Sequence, residues 1–284
     1  MKKQIVLVGG DQRTPYLAKY LSEKMYDVTV YGMEQYKNMP MDITLSHHLT
    51  SADIYVLPIP CTKNNVTVNA PYSSAEIRIE SVLKECKSNG VLFGGNIPDW
   101  VINHCQKANI IVFDYGKKET FAKENALPTA EGTIEILMNQ TPCVLEGQSV
   151  CVVGYGRIGK VLAQKLKALG CKVTVTARKT QQLEEINKEG YAPFHTNQLP
   201  FSPQFDIIIN TVPAPVITKA VLLRQNKDCF LVDLASKPGG VDFEYAKTLG
   251  MKTIHALSLP AKHAPATAAD IIAKSIFQYL HETE

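Results

Sequence analysis

Apolar and polar positions along this chain follow a repeated strand–helix rhythm. Short runs rich in Val and Ile read as buried strands, and stretches with apolar residues at helical spacing read as the helices between them. In the first part the pattern predicts a strand over Ile5 to Val8, a helix over Pro15 to Lys24 and a strand over Asp27 to Tyr31. A polar connector follows. Then come a strand from Ile54 to Pro60, a helix over Ser74 to Cys86 and a strand over Val91 to Gly94. A proline-started helix from Pro98 to Lys107 and a last strand from Ile110 to Asp114 complete this part.

In the second part Val150 to Val153 reads as a strand that runs into a glycine-rich turn. The next segment places Ile158, Val161, Leu162, Leu166 and Leu169 on one helical face, Gly170 stops it, and Lys172 to Thr176 is a β-branched strand. A helix over Gln181 to Lys188, a proline-rich connector and strands over Asp206 to Asn210 and Phe230 to Ala235 follow. Asp242 to Leu249 predicts a helix, Lys252 to Ala256 a final strand and Pro265 to His281 a final helix. Between the two parts, FAKENALPTAEGTIEILM (Phe121 to Met138) is expected to cross from one domain to the other, with Pro128 starting a helix and Thr129 and Glu131 in its first turn.

Alternating strands and helices imply parallel pairing with right-handed crossovers. The expected class is α/β: two Rossmann-like, doubly wound parallel-sheet domains with a cleft between them. Residues 1–120 form a substrate-side domain, 121–145 the crossing and 146–264 a dinucleotide-binding domain; helix 265–284 is expected to pack back on the first. A chain of 284 residues suits two such domains.

The turn after Val153 is Gly154-Tyr155-Gly156-Arg157-Ile158-Gly159. Strand, G-x-G-x-x-G, helix and second strand together are the context in which this fingerprint binds a dinucleotide. The first glycine makes the turn, the second lets the pyrophosphate approach backbone, and the third allows close helix–strand packing. The helix N-terminus offers unpaired N–H groups to the phosphates. The second strand then ends Thr176-Ala177-Arg178-Lys179, with no acid near. An NAD site usually places a carboxylate there for the ribose hydroxyls, whereas a guanidinium and an ammonium suit a 2′-phosphate. The expected cofactor is NADP(H). Thr211-Val212-Pro213 and Lys237, at later strand ends, are expected beside the nicotinamide ribose.

The first domain lacks such a fingerprint, so its ligand is expected to be something other than a dinucleotide. Its strand ends carry Gly9-Gly10-Asp11-Gln12-Arg13, Thr62 and Asn96. The two glycines would let backbone approach a small ligand, and Arg13 would clamp a carboxylate; the plainer alternative is that Asp11 and Arg13 cap and flank the first helix. Asp11, Arg13, Thr62 and Asn96 are thus the expected substrate-binding residues. Arg13, Asn125, Thr129 and Glu131 are the expected catalytic set, with Arg13 facing Asn125 and Thr129 across the cleft. Capping also explains Thr129 and Glu131.

Charge and cysteine content narrow the classes. A net charge of +3 without a basic stripe argues against nucleic acid. No segment has the apolar length of a membrane span, and MKKQIVLVGGDQR reads as the entry to a strand rather than a signal peptide. Seven cysteines without a C-x-x-C pair read as reduced, mostly buried thiols of a cytoplasmic protein. No His/Cys spacing points to a metal, and His47-His48 reads as surface.

The motifs GGDQR, NALPTAEGTIEIL, VVGYGRIGK, NTVPAPV, DLASKPGGVDF and LPAKHAPATAADII, in that order over essentially the whole chain, resemble the dipicolinate synthase A-subunit family. The resemblance implies oxidation of a dihydrodipicolinate-type intermediate of the lysine pathway to dipicolinate in spore-forming bacteria. It also implies a partner, the flavoprotein-like B-subunit of dipicolinate synthase, with homo-oligomers expected as well. Ala261, His263 and Ala266 depart from the family's pattern, so no catalytic role is carried over to His263. The alternatives are a non-catalytic protein that binds the cofactor, or another small-acid NAD(P)-dependent dehydrogenase. The Arg, acid and His set of a D-2-hydroxyacid dehydrogenase is not found after the fingerprint.

Overall fold

Two six-stranded parallel sheets account for the Val- and Ile-rich runs. In the computed structural model, which describes residues 3–24 and 26–282, the chain divides into two compact units. One is Met1–Asn125 with Pro260–Glu284, the other Ala126–Leu259. Residues 1, 2, 25, 283 and 284 belong to the expected domain ranges but lie outside the described residues.

The first unit begins β1 (Gln4–Val8), α1 (Arg13–Glu23), β2 (Asp27–Tyr31), β3 (Thr44–Ser46) and β4 (Ala52–Val56). It continues α2 (Ile79–Glu85), β5 (Cys86–Gly94), α3 (Asp99–Lys107), β6 (Ile111–Asp114), a 3-10 turn (Tyr115–Lys117) and α4 (Glu119–Glu124). The strand order is β3-β2-β1-β4-β5-β6. β1 is buried on both faces: Ile5 and Leu7 enter one core and Val6 and Val8 the other, as a period of two requires between covering helices.

The second unit holds α5 (Ala126–Gln140), β7 (Ser149–Val153), α6 (Arg157–Ala168), β8 (Lys172–Ala177) and α7 (Thr180–Lys188). Next come β9 (Ala192–His195), a 3-10 turn (Thr196–Phe201), β10 (Ile207–Asn210), α8 (Lys219–Leu222), β11 (Phe230–Asp233), α9 (Phe243–Thr248) and β12 (Thr253–His255). The order β12-β11-β10-β7-β8-β9 repeats the first sheet's topology. Val150 and Val152 of β7 point to one core, Cys151 and Val153 to the other. After α10 (Leu259–His263), α11 (Pro265–Glu282) lays Ala269, Ile272, Ala273 and Ile276 into the first unit's core with Leu17, Ala18 and Leu21 of α1.

Several boundaries differ from the sequence pattern. The helix expected over Ser74 to Cys86 is confined to Ile79–Glu85, because residue 78 is extended and pairs with Thr67 in an antiparallel bridge. The strand expected from Val91 starts at Cys86, with an irregularity opposite Ala52 and Ile54. β3 lies inside the polar connector; three largely exposed residues carry no alternation, and only pairing with β2 makes them a strand. β9 lies in the proline-rich connector, where Pro193 is tolerated because β9 is an edge strand. α5 starts at Ala126, so Pro128 is its third residue, still in the first turn where a missing N–H costs nothing. The short helices α8 and α10 have no counterpart in the pattern.

Candidate functional site

The three glycines after β7 have three different physical reasons. Gly154 has φ +102°, and a Cβ there would lie 2.5 Å from Thr211 Oγ1 and 2.8 Å from Val212 Cγ2. A Cβ on Gly159 would lie 2.1 Å from the Gly154 carbonyl oxygen, so only glycine lets α6 pass this close to the turn. Around Gly156 the opposite holds: a Cβ there would meet nothing within 4 Å. Gly156 precedes α6 with extended backbone and no side-chain cap, and no acidic residue stands in the first turn of that helix. Open space beside backbone, at an uncapped N-terminus of a twelve-residue helix, fits a phosphate.

The turn is held from below. Gly154 N donates to the Thr176 carbonyl at 3.2 Å and to Thr176 Oγ1 at 3.3 Å. Thr196 Oγ1 donates to Thr176 Oγ1 at 3.1 Å, and Thr211 Oγ1 donates to the Val153 carbonyl at 2.9 Å. Thr176 is fully buried, so its side chain buttresses the turn instead of lining it. Tyr155 likewise turns inward: its ring belongs to the core, Lys160 Nζ sits 4.6 Å above it, and burial pushes its hydroxyl pKa up. Beyond β8, Arg178 and Lys179 are exposed and form no ion pair among the described residues.

A second set of residues shapes the ends of β10 and β11, and the sequence pattern does not single it out. Asp233 is fully buried. Its carboxylate accepts from Asn210 Nδ2 (2.8 Å), Ala235 N (3.0 Å), Gly240 N (2.7 Å) and Val241 N (3.2 Å). Asn210 also donates to the Val212 carbonyl at 2.9 Å and accepts from Val212 N at 3.1 Å. A Cβ on Gly240 would lie 2.5 Å from both Asn210 Nδ2 and the Ala214 carbonyl oxygen. The loop bearing Thr211, Val212 and Pro213 and the loop bearing Lys237 are therefore knitted through one carboxylate. The signal was the DLASKPGG run, whose acid at a strand end and paired glycines match this clamp.

In the first unit the equivalent place is closed. Gly9 (φ +62°) and Gly10 (φ +99°) are approached by the chain itself, not left open for a ligand: Gly10 N donates to the Asn69 carbonyl at 2.9 Å, and a Cβ on Gly9 would lie 2.6 Å from Ala70 Cβ. What remains beneath is a cavity of about 20 Å³, bordered by Arg13, Pro58 and Tyr115, room for a single water. Arg13 is 7% exposed. Its Nε and Nη2 donate to the two oxygens of Asp11, each at 2.8 Å, and Nη2 also reaches the Ile59 carbonyl. The fork expected to hold a carboxylate from outside holds one from the same turn.

The other expected residues are spread over both units. Thr62 is buried and donates to Asn64 Oδ1 at 3.3 Å. Asn96 is exposed at φ +57°, its N–H bound to Asp114 Oδ1 at 3.0 Å. Asn125 follows α4 and ends the first unit's leading segment. Thr129 is buried within α5, where its carbonyl accepts from Thr133 Oγ1 at 2.8 Å, so it is a helix-interior residue and not the cap. Glu131, on the surface of α5, pairs with Lys165 of α6 at 2.8 Å. Burial raises the thiol pKa of Cys61, Cys86 and Cys229 to about 12 each, so none of these thiols is a thiolate nucleophile near neutral pH. No helix among the described residues is long and apolar enough to cross a membrane.

Residues 4–116 match the family model for the N-terminal domain of the dipicolinate synthase A-subunit. Residues 115–231 match the NAD binding domain of D-isomer specific 2-hydroxyacid dehydrogenases. The chain is 31% identical to the dipicolinate synthase A-subunit of Bacillus subtilis (strain 168), over 99% of this chain and 97% of that protein. Its structure is similar to that of the dipicolinate synthase A-subunit from Bacillus halodurans, with a TM-score of 0.88 at 32% identity, covering 98% and 97% of the two chains. The solved counterpart from Bacillus subtilis gives a TM-score of 0.85 at 30% identity, covering 99% and 97%.

Proposed function

Because the chain belongs to the dipicolinate synthase A-subunit family, we propose that it oxidises a dihydrodipicolinate-type intermediate to dipicolinate, pyridine-2,6-dicarboxylate, with NADP⁺ as acceptor. A nicotinamide dinucleotide accepts a hydride when bound, and a proton leaves the substrate ring in the same net step. Aromatisation of the ring supplies driving force. The chain's own part is to bind, orient and exclude water.

The observation that carries the reading is the open space beside Gly156 at the uncapped start of α6. Gly154, Gly156, Gly159 and the first N–H groups of α6 hold the pyrophosphate. Arg178 and Lys179 take the 2′-phosphate, which a carboxylate at the same place would repel. Thr211, Val212, Pro213 and Lys237 border the nicotinamide, their loops fixed by Asp233 and Asn210. The partner is the flavoprotein-like B-subunit, and the setting is the cytoplasm of the mother cell of a sporulating bacterium.

One observation favours a second reading. Asp233, the acid at this end of the sheet, is committed to four donors and is no base. The chain would then hold the cofactor while a partner supplies the proton acceptor. Turnover decides between them: the purified chain is given NADP⁺ and the dihydro acid or its hydrated tetrahydro precursor, and NADPH fluorescence is followed. Formation of NADPH and dipicolinate by the chain alone supports the first reading. Turnover only after addition of the partner supports the second, and none in either case overturns both.

A further inference from the structure

The segment that roofs the first unit's sheet borders a cavity of its own. Residues 57–78 leave β4, stretch 68–70 covers Gly9 and Gly10, and residues 63–64, 67–71 and 73–77 line about 420 Å³. That is within the range of small-molecule sites, and it contrasts with the closed space beneath the same roof.

Three donors stand in this lining. Asn69 is 9% exposed, and its side-chain amide makes no hydrogen bond with any described residue. Its amide atoms are not sealed from solvent, so they open onto the cavity, where a water or a ligand can meet them. Asn64 is fixed by its oxygen, which accepts from Thr67 N (2.8 Å), Val66 N (3.0 Å), Thr67 Oγ1 (3.1 Å) and Thr62 Oγ1 (3.3 Å). With the oxygen engaged in four bonds, the Nδ2 group is what Asn64 has left to offer. Lys63 adds an exposed ammonium with no ion pair among the described residues. Glu76, also exposed in the lining, offsets that charge, so recognition rests on the amide donors more than on net charge.

We infer that this cavity is a binding site for a small carboxylic acid, received by the amides of Asn69 and Asn64. Resting on the function proposed above, the acid is the dipicolinate-type diacid. The site replaces Arg13, whose fork Asp11 already fills, as the first unit's carboxylate receptor.

The test is calorimetric titration of dipicolinate into the full chain saturated with NADP⁺. Asn69→Asp keeps the shape but turns a donor toward acceptor and charge; dipicolinate affinity falls at least about tenfold, while NADPH affinity is unchanged. Because a buried carboxylate there also threatens the fold, Asn64→Asp is the second variant. It retains the oxygen that ties the turn and exchanges the donor for a charged oxygen, and affinity falls by about threefold to tenfold. Wild-type affinity in both variants, or no dipicolinate binding to the wild-type chain, overturns the site. If the wild-type chain turns over substrate while the variants bind dipicolinate normally, the site is wrong and the oxidation stands. If the variants lose dipicolinate but no turnover is found with or without the partner, the site stands and the oxidation is wrong.

Discussion

At the end of β1 an added Cβ on Gly9 would come within 2.6 Å of Ala70 Cβ, whereas after β7 an added Cβ on Gly156 would meet nothing within 4 Å. The two sheets have the same strand order, so each has its crevice where that order reverses, at β1/β4 and at β7/β10. What differs is the chain that leaves the fourth strand. In the first unit residues 57–78 fold back over the crevice and pair with themselves through Thr62–Val68 and Thr67–Arg78 bridges. In the second, the chain after β10 is tied sideways to the chain after β11 by Asp233, and the crevice stays open. Glycine at a strand end therefore marks close approach without saying what approaches: the protein's own backbone in one unit, space beside a helix N-terminus in the other.

The largest expected effect comes from releasing that sideways tie. Asp233→Ala leaves the Asn210 amide and the N–H groups of Ala235, Gly240 and Val241 without their acceptor. Stability falls by about 3 kcal/mol or more, read by chemical denaturation. A loss below about 1 kcal/mol would mean that water replaces the carboxylate and the loops are not held by it.

The next pair exchanges the two glycines' roles. Gly9→Ala puts a methyl group against Ala70 at a positive φ, and is expected to cost roughly 2–4 kcal/mol of stability with NADPH affinity retained. Gly156→Val fills open space on extended backbone, so the thermal midpoint holds while NADPH affinity falls at least about tenfold. Thermal unfolding and fluorescence titration on both variants check the contrast. If Gly156→Val melts early or Gly9→Ala loses cofactor instead, the two crevices are not what their geometry says.

Much of this architecture was legible because its strands are buried on both faces and so appear as unbroken apolar runs, β1 and β7 above all. The glycine turn after β7 was legible because close approaches at Gly154 and Gly159 admit no side chain, while Gly156 stands beside open space. β3 and β9 were not, since edge strands with exposed residues or a proline take their conformation from a neighbour. Residues 74–78 have helical spacing, but the bridge to Thr67 pulls them into extended backbone. Arg13 shows the limit most plainly: two residues separate it from Asp11, and nothing in that spacing tells a side chain that folds back on its own turn from one that reaches outward. Asp233 shows the converse, because an acid at a strand end reads alike whether it meets substrate or four backbone and amide donors.

The smallest expected effect sharpens what the open crevice accepts. Arg178 and Lys179 follow β8 on the surface, with no acid at the strand end and no ion pair among the described residues. At an exposed position solvent screens part of any charge interaction, so the expected preference for a 2′-phosphate would rest on bidentate hydrogen bonding as well as on charge. Wild-type chain is expected to bind NADPH more tightly than NADH by about 1–3 kcal/mol. Arg178→Ala removes the fork and brings the two affinities within about fivefold, whereas Arg178→Lys keeps charge without the fork and falls between. Raising the salt concentration is expected to narrow the wild-type preference, since the 2′-phosphate adds a charge contact that NADH lacks and that salt screens. Equal binding of NADH and NADPH by the wild-type chain would show that these two cations are a solvated surface and that the ribose is recognised from elsewhere in the second unit.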